Sequence, residues 1–174
     1  MGQVHAILSQ RKLPYPLFRL ERGGVQAIDR FKRSGNGILL ASGALWEGID
    51  IPGDTLSMLI IVKMPFAVPD PIGDYERSLC GDMQIYKTKC VVPDALVKNK
   101  QGFGRAHRNE TDTAAVAFLD SRVRKGAPYH RCLLDSLPVC RVTSSIGVVR
   151  NFYIEKKPPS YFGGKIENAK EAVR

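Results

Sequence analysis

Two arginines three residues apart, Arg105 and Arg108, close the run Gln101-Gly102-Phe103-Gly104-Arg105-Ala106-His107-Arg108. On a helix that spacing brings both guanidinium groups to one face. Each guanidinium is a permanently charged planar fork that fits phosphate oxygens, so the pair could clamp the terminal phosphate of a nucleotide. Stabilising the charge that develops on a transferring phosphoryl group is the chemistry such arginines perform. Gly102 and Gly104 remove side chains where the backbone must approach a ligand or bend. Taken alone, the two arginines equally describe the basic end of a solvated helix.

A second segment, Ala41-Ser42-Gly43-Ala44-Leu45-Trp46-Glu47-Gly48-Ile49-Asp50-Ile51-Pro52-Gly53, follows the apolar run Ile38-Leu39-Leu40. That run reads as a buried strand. A Gly-rich loop after such a strand opens at its carboxyl end, where open α/β sheets bind ligands. Ser42 and Gly43 offer a hydroxyl and an unobstructed amide to a phosphate, and Asp50 could accept from a ribose hydroxyl. Trp46 as a core aromatic, with Glu47 and Asp50 as turn caps, is an alternative of equal weight.

In order along the chain come Trp46-Glu47-Gly48-Ile49-Asp50 with Pro52-Gly53, Met64-Pro65-Phe66 with Pro69-Asp70-Pro71, the Gln101 to Arg108 run, Asp112, and Asp120-Ser121-Arg122. This series, covering roughly residues 20 to 140, resembles motifs V and VI of superfamily-two helicases, specifically the DinG and XPD-like group. The resemblance implies an α/β, RecA-like fold of the P-loop NTPase type: a parallel sheet flanked by helices, the second motor domain only. It implies an ATP-dependent DNA helicase, which in that family moves 5′ to 3′ on single strands. Its motif VI implies that Arg105 and Arg108 reach the nucleotide phosphates beside Gly104, with Gln101 coupling nucleotide state to the strand-binding face. Its motif V implies Glu47, Gly48 and Asp50 at the nucleotide edge, and Ser42, Gly43 and Trp46 toward the DNA. His107 departs from the pattern, standing where the family usually has an apolar residue, either as a packed variant or as an extra phosphate donor.

No Gly-x-x-x-x-Gly-Lys-Ser/Thr loop occurs, since Gly163-Gly164-Lys165 lacks the upstream glycine and the hydroxyl. No acidic pair follows an apolar strand to hold magnesium. The expectation is therefore that ATP with Mg binds at an interface with a first RecA-like domain, in cis or in trans, and that this chain alone is inactive. The alternative is a non-enzymatic nucleic-acid-binding relic of such a domain. An unrelated phosphate-binding enzyme would need its own nucleophile or base, and His5, His107 and His130 supply no convincing one.

A net charge of +9 names polyanions as partners, single-stranded DNA first, with binding that weakens in salt. Basic clusters stand at Arg30, Lys32 and Arg33, at Lys98 and Lys100, and at Arg122, Arg124 and Lys125; each also reads as a solubilising face. Arg122 lies just past a strand end, within reach of a bound strand. Phe66 could stack on a base there or pack its loop against the sheet. Cys80, Cys90, Cys132 and Cys140 form no Cys-x-x-Cys pair, so neither zinc nor an iron-sulfur cluster is expected and no metal ligands are assigned. The absence of a leader at the amino end and of any membrane-length apolar run points to a reducing cytoplasmic compartment with free thiols and no membrane partner.

Alternating elements argue for a parallel sheet covered on both faces. Strands are expected at 16–20, 37–41, 56–63 and 114–119, and helices at 25–33, 74–86, 93–105, 129–136 and 144–154. Val25, Ile28 and Phe31 should share a buried helix face, and Tyr75, Tyr86, Phe103 and Phe118 should be core. Pro65, Pro69 and Pro71 keep the segment up to Gly73 out of a helix. The domain is expected over 1–155, lacking its first strand, with 156–174 a polar tail; a split or truncated protein would account for that start.

Overall fold

A computed structural model describes residues 2–20, 24–42, 51, 55–68, 70–107 and 112–162, the side chain of Pro159 excepted. They belong to two compact units, Met1–Leu137 and Pro138–Arg174. The first opens with helix α1 (Gly2–Gln10).

Strand β1 (Leu17–Arg19) pairs in parallel with β2 (Ile38–Leu40), Leu17 opposite Ile38 and Arg19 opposite Leu40. Amide N–H donors of Leu20 to the Leu40 carbonyl and of Ile38 to the Pro16 carbonyl, both at 2.8 Å, extend the ladder. Parallel pairing demands a crossover, and helix α2 (Val25–Ser34) supplies it. Phe31 is buried with Leu20 and Ile51, and Phe18, Ile28, Leu39 and Leu56 pack around them. Gly37 is required here, because a Cβ would lie 2.6 Å from the Phe18 ring that meets Phe31 edge-on. Val25, expected on the buried face, is 66% exposed: as the first helical residue it stands outside that cluster.

The second ladder pairs β3 (Met58–Ile61) with β4 (Ala115–Phe118), again parallel, Met58 opposite Ala115 and Ile61 opposite Phe118. Their crossover is helical almost throughout. Helix α3 (Pro71–Cys80) begins two residues before Gly73, where the prolines predict a loop. Proline is tolerated in the first turn, whose N–H groups have no helical partner, and the Asp70 carboxylate accepts the Gly73 N–H at 2.8 Å. The single helix expected at 74–86 is broken at Gly81, which caps α3 at φ 68°. Asp82 starts the next helix by accepting the Gln84 and Ile85 N–H groups at 2.7 and 3.0 Å. Helix α4 (Met83–Tyr86) then runs through a π-helical turn (Lys87–Val91) into helix α5 (Val92–Ala106). Pro93 rationalises the widened turn: it has no N–H for the Lys89 carbonyl, and its ring would crowd that carbonyl in a regular helix.

Ala95, Asn99, Gly102 and Ala106 form the buried stripe of α5. Ala95 joins Met64, Val123 and Leu133 in a second core, with Phe66, Leu96, Phe118, Tyr129 and Leu137 around it. A 3₁₀ turn (Ser121–Val123) and helix α6 (His130–Ser136) close this side. Of the aromatics expected in the core, Phe118 packs there, Tyr86 and Phe103 are half-buried, and Tyr75 is 65% exposed, because α3 buries none of its residues. Met58 and Ile60 of β3 remain exposed, so that face of the ladder is uncovered among the described residues. The second unit carries helix α7 (Ile146–Lys156), two residues later than expected at each end, and a 3₁₀ turn (Pro159–Phe162) whose Tyr161 ring stacks on Tyr153. The parallel strands and helical crossovers are those of the expected α/β class.

Candidate functional site

The last two turns of α5 hold the first group of candidate residues. The buried stripe continues through Gly102 and Ala106, which orients what lies beside it. Gln101 is exposed and Arg105, one turn later on the same side, is half-buried. Gly104 is exposed with open space where a Cβ would be. The helix ends at His107, whose backbone is extended (φ −139°) and whose N–H donates to the Phe103 carbonyl. The His107 ring is exposed rather than packed, its Nδ1 3.2 Å from the Asp112 carbonyl oxygen. Arg108 lies outside the described residues, as do Gly43, Trp46, Glu47, Gly48 and Asp50. Ser42, exposed just past the carboxyl end of β2, is the one motif V candidate whose position is described.

The carboxyl ends of β3 and β4 hold the second group. Asp120 has only 5% of its side chain exposed and collects donors from both strand ends. Its Oδ2 accepts the Met64 N–H at 2.8 Å, across the 56 residues that separate them. Its Oδ1 accepts the Arg122 N–H at 3.0 Å, starting the 3₁₀ turn. The Arg122 fork closes on the same carboxylate, Nε at 2.9 Å from Oδ1 and Nη2 at 2.6 Å from Oδ2. Those Arg122 hydrogen bonds, then the Met64 and Arg122 amides, hold the Asp120 carboxyl well below the usual carboxylate range, although burial opposes them. The same pairing pushes the Arg122 pKa up.

Arg122 also lies over the Phe66 ring, 4.6 Å from guanidinium carbon to ring centroid, and Tyr129 braces that ring at 5.2 Å. Phe66 is therefore half-buried against the second core, and one ring face is already taken by a cation. In the sequence, Phe66 and Arg122 stand out separately and Asp120 carries no role. The signal was present: an aspartate two residues before an arginine, directly after a strand, has the spacing of a side-chain-capped turn. The cation over the ring was not legible, because it joins residues 66 and 122.

Along the chain, Arg105 lies in the last turn of α5, before β4, and Arg122 in the turn that follows β4.

Parallel strands joined by helical crossovers, with candidate residues at strand and helix ends, define an α/β domain. Residues 1–140 match the helicase C-terminal domain family, and the chain belongs to it. Its relatives make it a DinG-type member. The "ATP-dependent DNA helicase YoaA" of Escherichia coli is 36% identical over 126 residues, 70% of this chain and 19% of that protein. The "3'-5' exonuclease DinG" of Bacillus subtilis is 37% identical over 115 residues, 65% of this chain and 12% of that protein. The "ATP-dependent DNA helicase DinG" of Photobacterium profundum is 41% identical over 117 residues, 63% of this chain and 16% of that protein. The chain thus matches less than a fifth of the length of these relatives. Among the described residues no helix is long and apolar enough to cross a membrane, and no cluster of three His, Cys, Asp or Glu side chains could hold a metal ion.

Proposed function

We propose that this chain is the second motor domain of a DinG-type ATP-dependent DNA helicase, supplying arginines to a nucleotide bound against a first RecA-like domain, in cis or in trans. The observation that carries the reading is the arrangement of α5. Its small buried stripe pins the helix, which leaves Gln101 and Arg105 one turn apart, off that stripe, in a domain of the helicase C-terminal family. Arg105 and, beyond the helix, Arg108 contribute positive charge to the phosphates, and Gln101 reports nucleotide state to the strand-binding side. Glu47, Gly48, Asp50 and Gly104 complete the nucleotide edge. The phosphates of ATP suit this donor set; magnesium would take its ligands from the first domain, since no acidic pair follows an apolar strand in this sequence. Bound ATP supplies the anhydride whose cleavage drives movement.

Single-stranded DNA is the second ligand. Ser42, just past β2, and Arg122, just past β4, contact it on a chain of net charge +9, and the resemblance adds Gly43 and Trp46. Phe66 belongs to this face as the platform under Arg122.

The test is reconstitution. Mixed with or fused to a DinG-type first motor domain, the chain should give ATP turnover stimulated by single-stranded DNA, and none by itself. DNA binding without turnover in any combination would instead identify a binding module that has lost its motor role.

A further inference from the structure

We infer that Asp120 is a positioning residue, which with Phe66 holds Arg122 as a preset contact for one phosphate of a bound single strand. The inference rests on the strand-binding side of the proposed function and adds to it the residue that aims the contact. Three observations carry it. First, the Arg122 fork is used on one side only. Nε and Nη2 face Asp120, Nη1 makes no hydrogen bond among the described residues, and 46% of the side chain is open to solvent. A guanidinium has five N–H donors, so the outward edge keeps donors for a phosphate oxygen.

Second, its freedom to swing is small. The carboxylate fixes one edge in a two-bonded fork, and the Phe66 ring supports one face at 4.6 Å. The carboxylate is itself anchored, because Asp120 is buried and accepts the Met64 N–H of the neighbouring strand end. It stays ionised at neutral pH, held there by the Arg122 bonds. Third, the latch lies beyond the carboxyl ends of parallel strands β3 and β4, with exposed Arg124 and Lys125 directly after it. Open α/β sheets bind ligands at that edge. Ordering a long side chain before the ligand arrives removes an entropic cost from binding.

The experiment exploits an opposition of sign. Replacing Asp120 with asparagine removes a negative charge from a basic surface, so simple electrostatics predicts tighter DNA binding. Loss of positioning predicts weaker binding. The measurement is fluorescence anisotropy of a labelled oligothymidylate with the 174-residue chain at several salt concentrations, with thermal melts of each variant. Expected are about fivefold weaker binding by Asp120→Asn, the scale of one hydrogen bond, and similarly weaker binding by Arg122→Lys, which keeps the charge but loses the fork. Arg122→Ala should lower the slope of log affinity against log salt by about 0.7, one phosphate contact on a single strand.

A folded Asp120→Asn variant that binds as tightly as the parent, or more tightly, overturns the inference while leaving the domain a DNA binder. If Asp120→Asn fails to fold, Arg122→Lys decides, and unchanged affinity overturns the inference. A parent chain that binds no oligonucleotide at low salt contradicts the strand-binding reading itself.

Discussion

Asp120 does more work than any other single side chain described, because a buried carboxylate with four donors around it organises two strand ends. Truncation to alanine strands the buried Met64 N–H and releases Arg122, at a cost of about 1–3 kcal/mol. Its folded pKa lies below its unfolded value of about 3.9, so the stability it contributes is complete above that value and is lost as pH falls through the folded one. Melts from pH 7 down to pH 3 should show the gap between parent and Asp120→Asn closing as acid is added; a gap constant across that range would contradict the assignment. Asn99 is the opposite case. It is fully buried, its Nδ2 donates at 2.8 Å to the Ala95 carbonyl and contacts the Met64 sulfur at 3.1 Å, and its Oδ1 has no partner among the described residues. Leucine at this position should leave stability unchanged or raise it by about 1 kcal/mol, since an unmet carbonyl is removed from the core. A clear fall in melting temperature would mean that the amide is needed.

At the scale of elements, the strands were legible and the helix breaks were not. Runs such as Met58 to Val62 and Ala114 to Leu119 are apolar, β-rich and well bounded, and the ladders fall inside them. The prolines around Phe66 misled, because proline excludes a helix interior yet suits a helix start, and Asp70 turns Pro71 into a first residue. Gly81-Asp82 sits in a stretch with helical composition on both sides, where only a positive φ at the glycine and a cap from the aspartate separate two helices. Gly81→Ala should cost about 1 kcal/mol by forcing a side chain into that left-handed conformation. Gly37→Ala should cost more, about 1–3 kcal/mol, because the new methyl group meets the Phe18 ring. Equal, negligible losses in denaturant melts of the two variants would refute both arguments.

On the scale of the whole molecule, family membership was readable from ordered motifs, and the comparisons bear it out over residues 1–140. What the sequence could not provide was the set of contacts at the strand ends. Motif spacing says which residues belong together in sequence, whereas the latch joins Met64, Phe66, Asp120, Arg122 and Tyr129 through packing. The placement of Trp46, Glu47, Gly48, Asp50 and Arg108 lies outside the described residues, so their part in the site stands on the resemblance. The proposed function assigns Arg105 of α5 to the nucleotide and Arg122, after β4, to the strand. The two functions should then separate by mutation: Arg122→Ala should weaken strand binding, and Arg105→Ala should leave it nearly unchanged.

Single-turnover ATP hydrolysis by the chain reconstituted with a DinG-type first motor domain, parent against Arg105→Ala at saturating single-stranded DNA, tests the central claim most directly. A transition-state arginine predicts a rate lowered by about a thousandfold or more with the DNA affinity kept. Turnover undiminished by the substitution would show that Arg105 does not serve the nucleotide.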